Sequence, residues 1–418
     1  MPTLQDCQTL DAQDPLAALR HQFSLPPGVI YLDGNSLGVL PRATASRVAS
    51  AITQEWGTGL IGSWNSAGWI DLPNRIGDKI ARLVGAKPGE IVAADSTSVN
   101  LFKVISAVLS NPHQKSAQKT IVISEADNFP TDLYIADSLC KQHGMTLAMQ
   151  SIDTLESAIT ENVALVMLTQ VNYRNGRMHD MAHITRLAHD KGALVLWDLA
   201  HSAGAVPVDL HGADADFAVG CGYKYLNGGP GAPAFVWVHP RHVERFDQPL
   251  AGWLGHAAPF AFTPDYKPAP GIQRYICGTA PILSMTALEC GLDTVLAAEP
   301  HGGMAALRAK SIALTSLFIE LVEAQCAEFG LTLASPRDAA QRGSQVCFSH
   351  PTQAYAMMQA LIARGVVGDF RAPDVLRFGF TPLYIGYVDV WNAVVHLRAM
   401  LGAEEYLQAQ FQQRKAVT

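Results

Sequence analysis

Five short apolar runs between residues 121 and 238 constrain the fold of this chain more than any other feature. They are Ile121-Val122-Ile123, Ala164 to Leu168, Ala193 to Trp197, Phe217 to Val219 and Phe235 to Val238. None alternates apolar with polar residues. A strand with one wet face alternates, whereas a short continuous run fits a strand covered on both faces. Between the second and third runs, Met181, Ile184, Leu187 and Ala188 recur at helical spacing, with Asp180 placed to cap the helix. Strand, helix and strand in this rhythm predict an α/β fold with a parallel sheet and right-handed crossovers.

The chain is long enough for more than this one layer. Its 418 residues, 49% apolar and 16% charged, suggest two subdomains around a well-buried core. After about residue 285 the pattern changes to long helical stretches, Ala305 to Phe329 first, followed by mixed segments. We therefore expect a large α/β domain over residues 46–285. A smaller α+β domain would be built from residues 1–45, with the extended Val29 to Leu32, and residues 286–418. Pro259 to Gly271 reads as an irregular loop, and there are no internal repeats.

A net charge of −7 argues against nucleic-acid or anionic-membrane partners. The seven cysteines are odd in number and have no CxxC spacing, which predicts reduced thiols and a cytoplasmic protein. Met1 to Asp14 lacks the basic and apolar regions of a signal peptide, and the apolar stretch Ala193 to Val208 is broken by Asp198 and His201 and is too short for a membrane span.

The chemistry is signalled by Tyr223-Lys224-Tyr225, set between the Phe217 run and the turn Leu226-Asn227-Gly228-Gly229-Pro230-Gly231. A lysine in that setting does not read as a solvated surface charge, although a snorkelling side chain is the plain alternative. Upstream, Asp198 closes the Ala193 run in Trp197-Asp198-Leu199-Ala200-His201. A buried lysine and a carboxylate at a strand end are what pyridoxal 5'-phosphate (PLP) requires. The amine binds the cofactor's aldehyde covalently, and the carboxylate keeps the pyridine nitrogen protonated. Asp198 could equally cap the next helix.

Other segments carry a similar pair of readings. Asp95-Ser96-Thr97-Ser98 precedes an amphipathic stretch (Val99, Phe102, Ile105, Val108, Leu109) and is either a helix cap or a phosphate seat at a helix N-terminus. Phe129-Pro130-Thr131-Asp132 follows the Ile121 run, where loops line the crevice of a parallel sheet. Arg377, in the apolar Val375 to Phe380 segment, needs a partner, either a substrate carboxylate or an inter-domain salt bridge. His179 and His183 stand four apart without a third ligand and read as a surface pair; no metal site is expected.

Five segments together resemble one family: Tyr31-Leu32-Asp33-Gly34-Asn35-Ser36-Leu37-Gly38, Asp95 to Asn100, Phe129 to Asp132, Trp197 to Gly204 and Tyr223 to Asn227. They are similar to kynureninase, a fold-type-I PLP hydrolase, over about residues 30–385. The lysine–aspartate pattern is shared with many class V aminotransferase-like enzymes, and the first and third segments are the more specific. The resemblance implies a mostly parallel seven-stranded sheet flanked by helices and a homodimer with active sites at the interface. It also implies hydrolysis of L-kynurenine to anthranilate and L-alanine in tryptophan catabolism. By position, Thr97, Ser98, Tyr223 and Trp253 would hold the phosphate. Phe129 would stack on the ring, Asp198 would pair with its nitrogen, and Asp132, Thr169 and His201 would complete the cofactor pocket, with Thr279 beside it. Arg377, with Asn35 or Ser36, would hold the substrate carboxylate. Trp64 and Thr279 would shape the aryl pocket, one of them from the other subunit. Vertebrate members carry His and Asn at these two positions, so the departure implies a preference for kynurenine over its 3-hydroxy form. Lys224 would move the Cα proton, and Tyr223 would donate one late in the reaction.

The same residues admit two rival readings. A cysteine desulfurase or aminotransferase would share the scaffold, but a desulfurase needs a cysteine in a mobile polar loop. Cys326 and Cys347 lie in segments that read as helix and strand. A non-catalytic PLP-binding regulator would need a basic DNA-binding arm, for which this acidic chain has no residues to spare.

Overall fold

The computed structural model describes residues 2–111 and 119–414. The first strand, β1 (Ile30–Tyr31), is short, and the main sheet is assembled from later segments. These are β2 (Ile91–Ala93), β3 (Ile121–Glu125), β4 (Thr146–Gln150), β5 (Val163–Thr169), β6 (Leu194–Asp198), β7 (Phe217–Gly220) and β8 (Phe235–Val238). They form one seven-stranded sheet in the order β2-β8-β7-β6-β5-β3-β4. All five apolar runs are strands of it. β3 to β7 are parallel to one another, and helices on both faces bury every residue of β5 and β6. The pleat divides the two cores. Val166, Leu168, Val195 and Trp197 face one apolar cluster, and Leu165, Met167, Leu194 and Leu196 face the other.

One strand departs from the parallel pattern. β8 runs antiparallel to both β7 and β2. A parallel return needs a crossover, usually a helix, and the Cys221 to Ala234 connection is spent on the lysine turn and its glycines. Two further strands, β2 and β4, lie outside the five apolar runs. β2 is only three residues long, and β4 is an edge strand with a mixed exposed pattern.

A second, four-stranded antiparallel sheet has the order β12-β13-β10-β9, from β9 (Thr332–Leu333), β10 (Gln345–Ser349), β12 (Asp369–Arg371) and β13 (Val375–Gly379). Phe318, on the long helix Gly303–Gln325, packs its ring 4.9 Å from Phe378 and 5.2 Å from Phe380. That helix stops short of the expected Phe329. Cys326 leaves helical geometry (φ −125°, ψ 15°), and Ala327–Phe329 form a separate 3-10 turn ahead of the left-handed Gly330. The N-terminal segment joins this part of the molecule. β1 pairs in parallel with β11 (Val366–Val367), and the Asp11 carboxylate accepts from the Tyr387 and Val388 amides at the start of the helix Tyr387–Gly402. No helix among the described residues is long and apolar enough to cross a membrane.

Candidate active site

The strand order turns around at β3 and β5: β4 lies outside β3, while β6 and β7 follow on the far side of β5. Ligands of open α/β sheets bind beyond the carboxyl ends of strands at such a point. Here the loops after β2, β3, β5, β6 and β7 enclose one cavity. Its walls are Ser96, Thr97 and Ser98, then Phe129, Thr131 and Asp132, then Thr169 and Tyr173, then Asp198, Ala200 and His201, and finally Tyr223 and Lys224.

Each side chain is delivered by local backbone. Thr169 and Asp198 are register partners on β5 and β6, so a hydroxyl and a carboxylate lie side by side at the sheet edge. Asp198 is buried and accepts from the Ala200 amide at 2.7 Å, so it caps the following turn and also lines the cavity. Asn128 ties the neighbouring loop down. Its side-chain oxygen accepts from Thr169 Oγ1 at 2.5 Å and from the Phe129 amide at 2.7 Å. The lysine turn is closed by Asn227 N to the Lys224 carbonyl (2.9 Å) and Gly228 N to the Gly222 carbonyl (2.9 Å). Gly38 lies against it, donating to the Tyr223 carbonyl at 2.8 Å; a Cβ at that glycine would stand 2.5 Å from the Lys224 carbonyl oxygen. The Ser96 hydroxyl caps the helix Thr97–Ser110 through the Val99 amide, leaving the hydroxyls of Thr97 and Ser98 on the cavity wall.

The electrostatics of the cavity follow from burial and from its single lysine. Burial, then the neighbouring Asp198 charge, push the Asp132 carboxyl well above the usual carboxylate range. Burial also raises Asp198, against the pull of Lys224. His201, fully enclosed with Lys224 close by, is held well below the ordinary histidine value and is neutral; its Nε2 lies 3.0 Å from Lys224 Nζ. Burial raises the Tyr223 phenol, which stays protonated.

The residues fit a bound PLP. Asp132 Oδ2 and His201 Nδ1 are buried polar atoms with no protein partner among the described residues. Two carboxyls face one lysine, which leaves room for a cationic ring. The N-terminus of a 14-residue helix with two adjoining hydroxyls offers an anion seat.

Not every residue named from sequence reaches the cavity. Arg377 is buried on β13 and forks onto Asp369 (Nε to Oδ1 2.7 Å, Nη2 to Oδ2 2.5 Å), with Ser36 Oγ 2.8 Å from Nη2. Its carboxylate partner is therefore on the adjacent strand of the same sheet, not across a domain boundary. Asn35 is fully buried against Gly379, where a Cβ would lie 1.9 Å from its Oδ1, and it does not line the cavity. Trp64 packs edge-on to Trp69, and Thr279 lies exposed before the helix Ile282–Leu296. Trp253 donates its indole N–H to the Pro259 carbonyl and does not line this cavity.

The histidine pair is corrected. His183 is half-buried and bonds Glu156 at 3.1 Å, while His179 is buried and bonds Glu125 at 2.9 Å, a carboxylate at the end of β3 that also pairs with Arg177. Sequence reasoning missed Tyr173, which lines the cavity, stands edge-on to Phe129 and accepts from Arg377 Nη1 through its carbonyl. It also missed Asp369, whose signal was an acid in the short Asp369-Phe370-Arg371 strand. Cys326 and Cys347 are buried at a helix end and within β10, and none of the seven cysteines is in a disulfide.

Comparison with known proteins places the site in a family. Residues 307–397 match the kynureninase C-terminal domain. The chain is 56% identical to a kynureninase of Pseudomonas fluorescens and 54% identical to one of Burkholderia pseudomallei (strain K96243), in both cases over the full length of both chains. The fold is shared more widely. The apo cysteine desulfurase of Thermococcus onnurineus NA1 superimposes with a TM-score of 0.76 at 19% identity, over 92% of this chain and 98% of that one. A C–S lyase variant with glycine covalently linked to its PLP cofactor gives 0.77 at 17% identity, over 91% and 98%. With more than half of its residues identical to the Pseudomonas and Burkholderia enzymes from end to end, the chain belongs to the kynureninase family.

Proposed function

We propose that this protein hydrolyses L-kynurenine to anthranilate and L-alanine with PLP bound covalently to Lys224. The observation that carries the reading is the meeting of Lys224, Asp198, Asp132 and His201 at one sheet edge with the Thr97–Ser110 helix N-terminus. When bound, PLP supplies the electron sink that lets bonds to the amino-bearing carbon and its neighbour break. Thr97 and Ser98 hold the phosphate. Asp198 holds the ring nitrogen in its protonated form, and Phe129 covers the ring. Thr169 and Asp132 complete the polar rim. Neutral His201 orients the Lys224 amine, which takes the Cα proton and returns it. Tyr223, protonated because burial raises its phenol, is the donor in the later steps. Arg377, fixed by Asp369 and Ser36, receives the substrate carboxylate, and Asn35 supports this segment from beneath.

The protein acts as a homodimer in the cytoplasm on this reading. Trp253, Phe260 and Phe262 form an exposed aromatic cluster, and Trp56, Leu60 and Ile61 are exposed as well, a surface that a second copy would cover. Trp253 then serves the partner's phosphate, and one of Trp64 and Thr279 serves the partner's aryl pocket. Cysteines free of disulfides suit a reducing compartment.

The test is to incubate PLP-loaded protein with L-kynurenine and measure anthranilate fluorescence and L-alanine together, beside 3-hydroxykynurenine. Equimolar products, the faster from kynurenine, are expected; light scattering of the same preparation should report twice the 44.9 kDa chain. PLP-loaded protein that yields neither product would refute the function.

A further inference from the structure

Arg377, the expected carboxylate receptor, has little hydrogen-bonding capacity left. Four of its five N–H groups already have acceptors: the two oxygens of Asp369, Ser36 Oγ and the Tyr173 carbonyl. A carboxylate is best held by two N–H donors side by side. Arg377 alone supplies one, so a second donor is needed nearby.

The neighbouring strand carries a suitable group. Asp369 pairs directly with Arg377, and Arg371 is two residues further along β12, so the pleat puts all three on one face of the sheet. Phe370 confirms the alternation, since its ring packs 5.4 Å from Tyr355 on the helix Ala354–Ala363, which covers the opposite face. Arg371 Nη2 lies 2.7 Å from Asp369 Oδ2 and 3.4 Å from Ser36 Oγ, and Nη1 donates to its neighbour's carbonyl. The two guanidiniums thus share the same carboxylate and the same hydroxyl. They differ in access: the Arg371 side chain is 32% exposed and that of Arg377 is 1% exposed. The charge of Arg371 is felt by His201 on the cavity wall. Asp33 is the fourth charged group here, and burial followed by the Asp369 charge raises it to about 7, so near neutrality the cluster carries excess positive charge.

We propose that Arg371 is a specificity-determining residue that grips the substrate's α-carboxylate together with Arg377. Arg377 is the fixed half of the receptor, and Arg371 is the accessible half. This rests on the kynurenine-hydrolysing reading, and the experiment separates the two. Wild-type holoenzyme and the Arg371→Gln and Arg371→Lys variants are assayed with L-kynurenine, and each is titrated with L-alanine and L-alaninamide as competitors. Loss of a charge-assisted hydrogen bond predicts that Arg371→Gln raises KM for L-kynurenine and weakens L-alanine about tenfold or more. Its kcat, PLP content and affinity for L-alaninamide, which lacks the anion, should stay near wild type. Arg371→Lys should fall between the two and keeps the charge beside Asp369 should the glutamine variant fail to fold. Unchanged KM, or equal weakening of L-alanine and its amide, would overturn the proposal. A wild-type enzyme that releases no anthranilate would instead refute the reading beneath it.

Discussion

Lys224 owes its chemical character to its neighbours. It stands 3.0 Å from a histidine kept neutral by burial and faces two carboxyls that burial holds above their ordinary range. Tyr223, next to it, keeps its proton for a related reason. Tyr223→Phe removes the phenolic proton but not the ring, so PLP content should be unchanged while anthranilate release slows by about a hundredfold or more, the usual scale for loss of a general acid. Wild-type turnover in the purified variant would exclude Tyr223 as a donor. Residues such as Lys224, Asp198 and Phe129 were legible in the sequence because each sits in a short motif whose neighbours fix its setting. Tyr173 and Asp369 were not. Tyr173 acts on Arg377 through its backbone carbonyl, and Asp369 acquires its partner through pairing with a strand eight residues away. His179 was misread because only the fold brings Glu125, 54 residues earlier, against it.

At the scale of elements, the phosphate seat depends on a buried cation. Lys103, on the helix Thr97–Ser110, is fully buried. It pairs with Asp95 and donates to Asn100 Oδ1 at 3.2 Å and to the Tyr275 carbonyl at 2.6 Å. It thereby ties the loop ahead of Thr97 and Ser98 to the segment leading to Thr279. Lys103→Met should destabilise the fold by about 3 kcal/mol, the low end for breaking a buried pair, because Asp95 is 31% exposed and can be rehydrated. It should also weaken PLP retention, since Asp95 sits in a left-handed conformation (φ 51°) that the ion pair helps to hold. A denaturation midpoint and PLP occupancy both equal to wild type would contradict this role. The main strands were legible because continuous burial on two faces leaves a continuous apolar run. The direction of β8 was not, since it depends on what the β7–β8 connection is used for.

The whole molecule brings together pieces that are distant in the chain. The segment with Asp33, Asn35 and Ser36 reaches the Arg377 sheet through a bridge between Asp33 and Gly379, while Gly38, only a few residues on, contacts the lysine turn of the large sheet. One short segment therefore spans the carboxylate-holding and cofactor-holding halves of the proposed site. Its packing against β11, β13 and the lysine turn was not readable from periodicity, because β1 is only two residues long. The most direct test of the central claim is to reduce the PLP-loaded protein with borohydride, digest it and map the modified residue by mass spectrometry, with anthranilate release measured before and after. The expected result is a single pyridoxyl group on Lys224, with activity abolished in proportion to labelling. A label on another lysine, or unlabelled Lys224 in protein that still cleaves kynurenine, would contradict it.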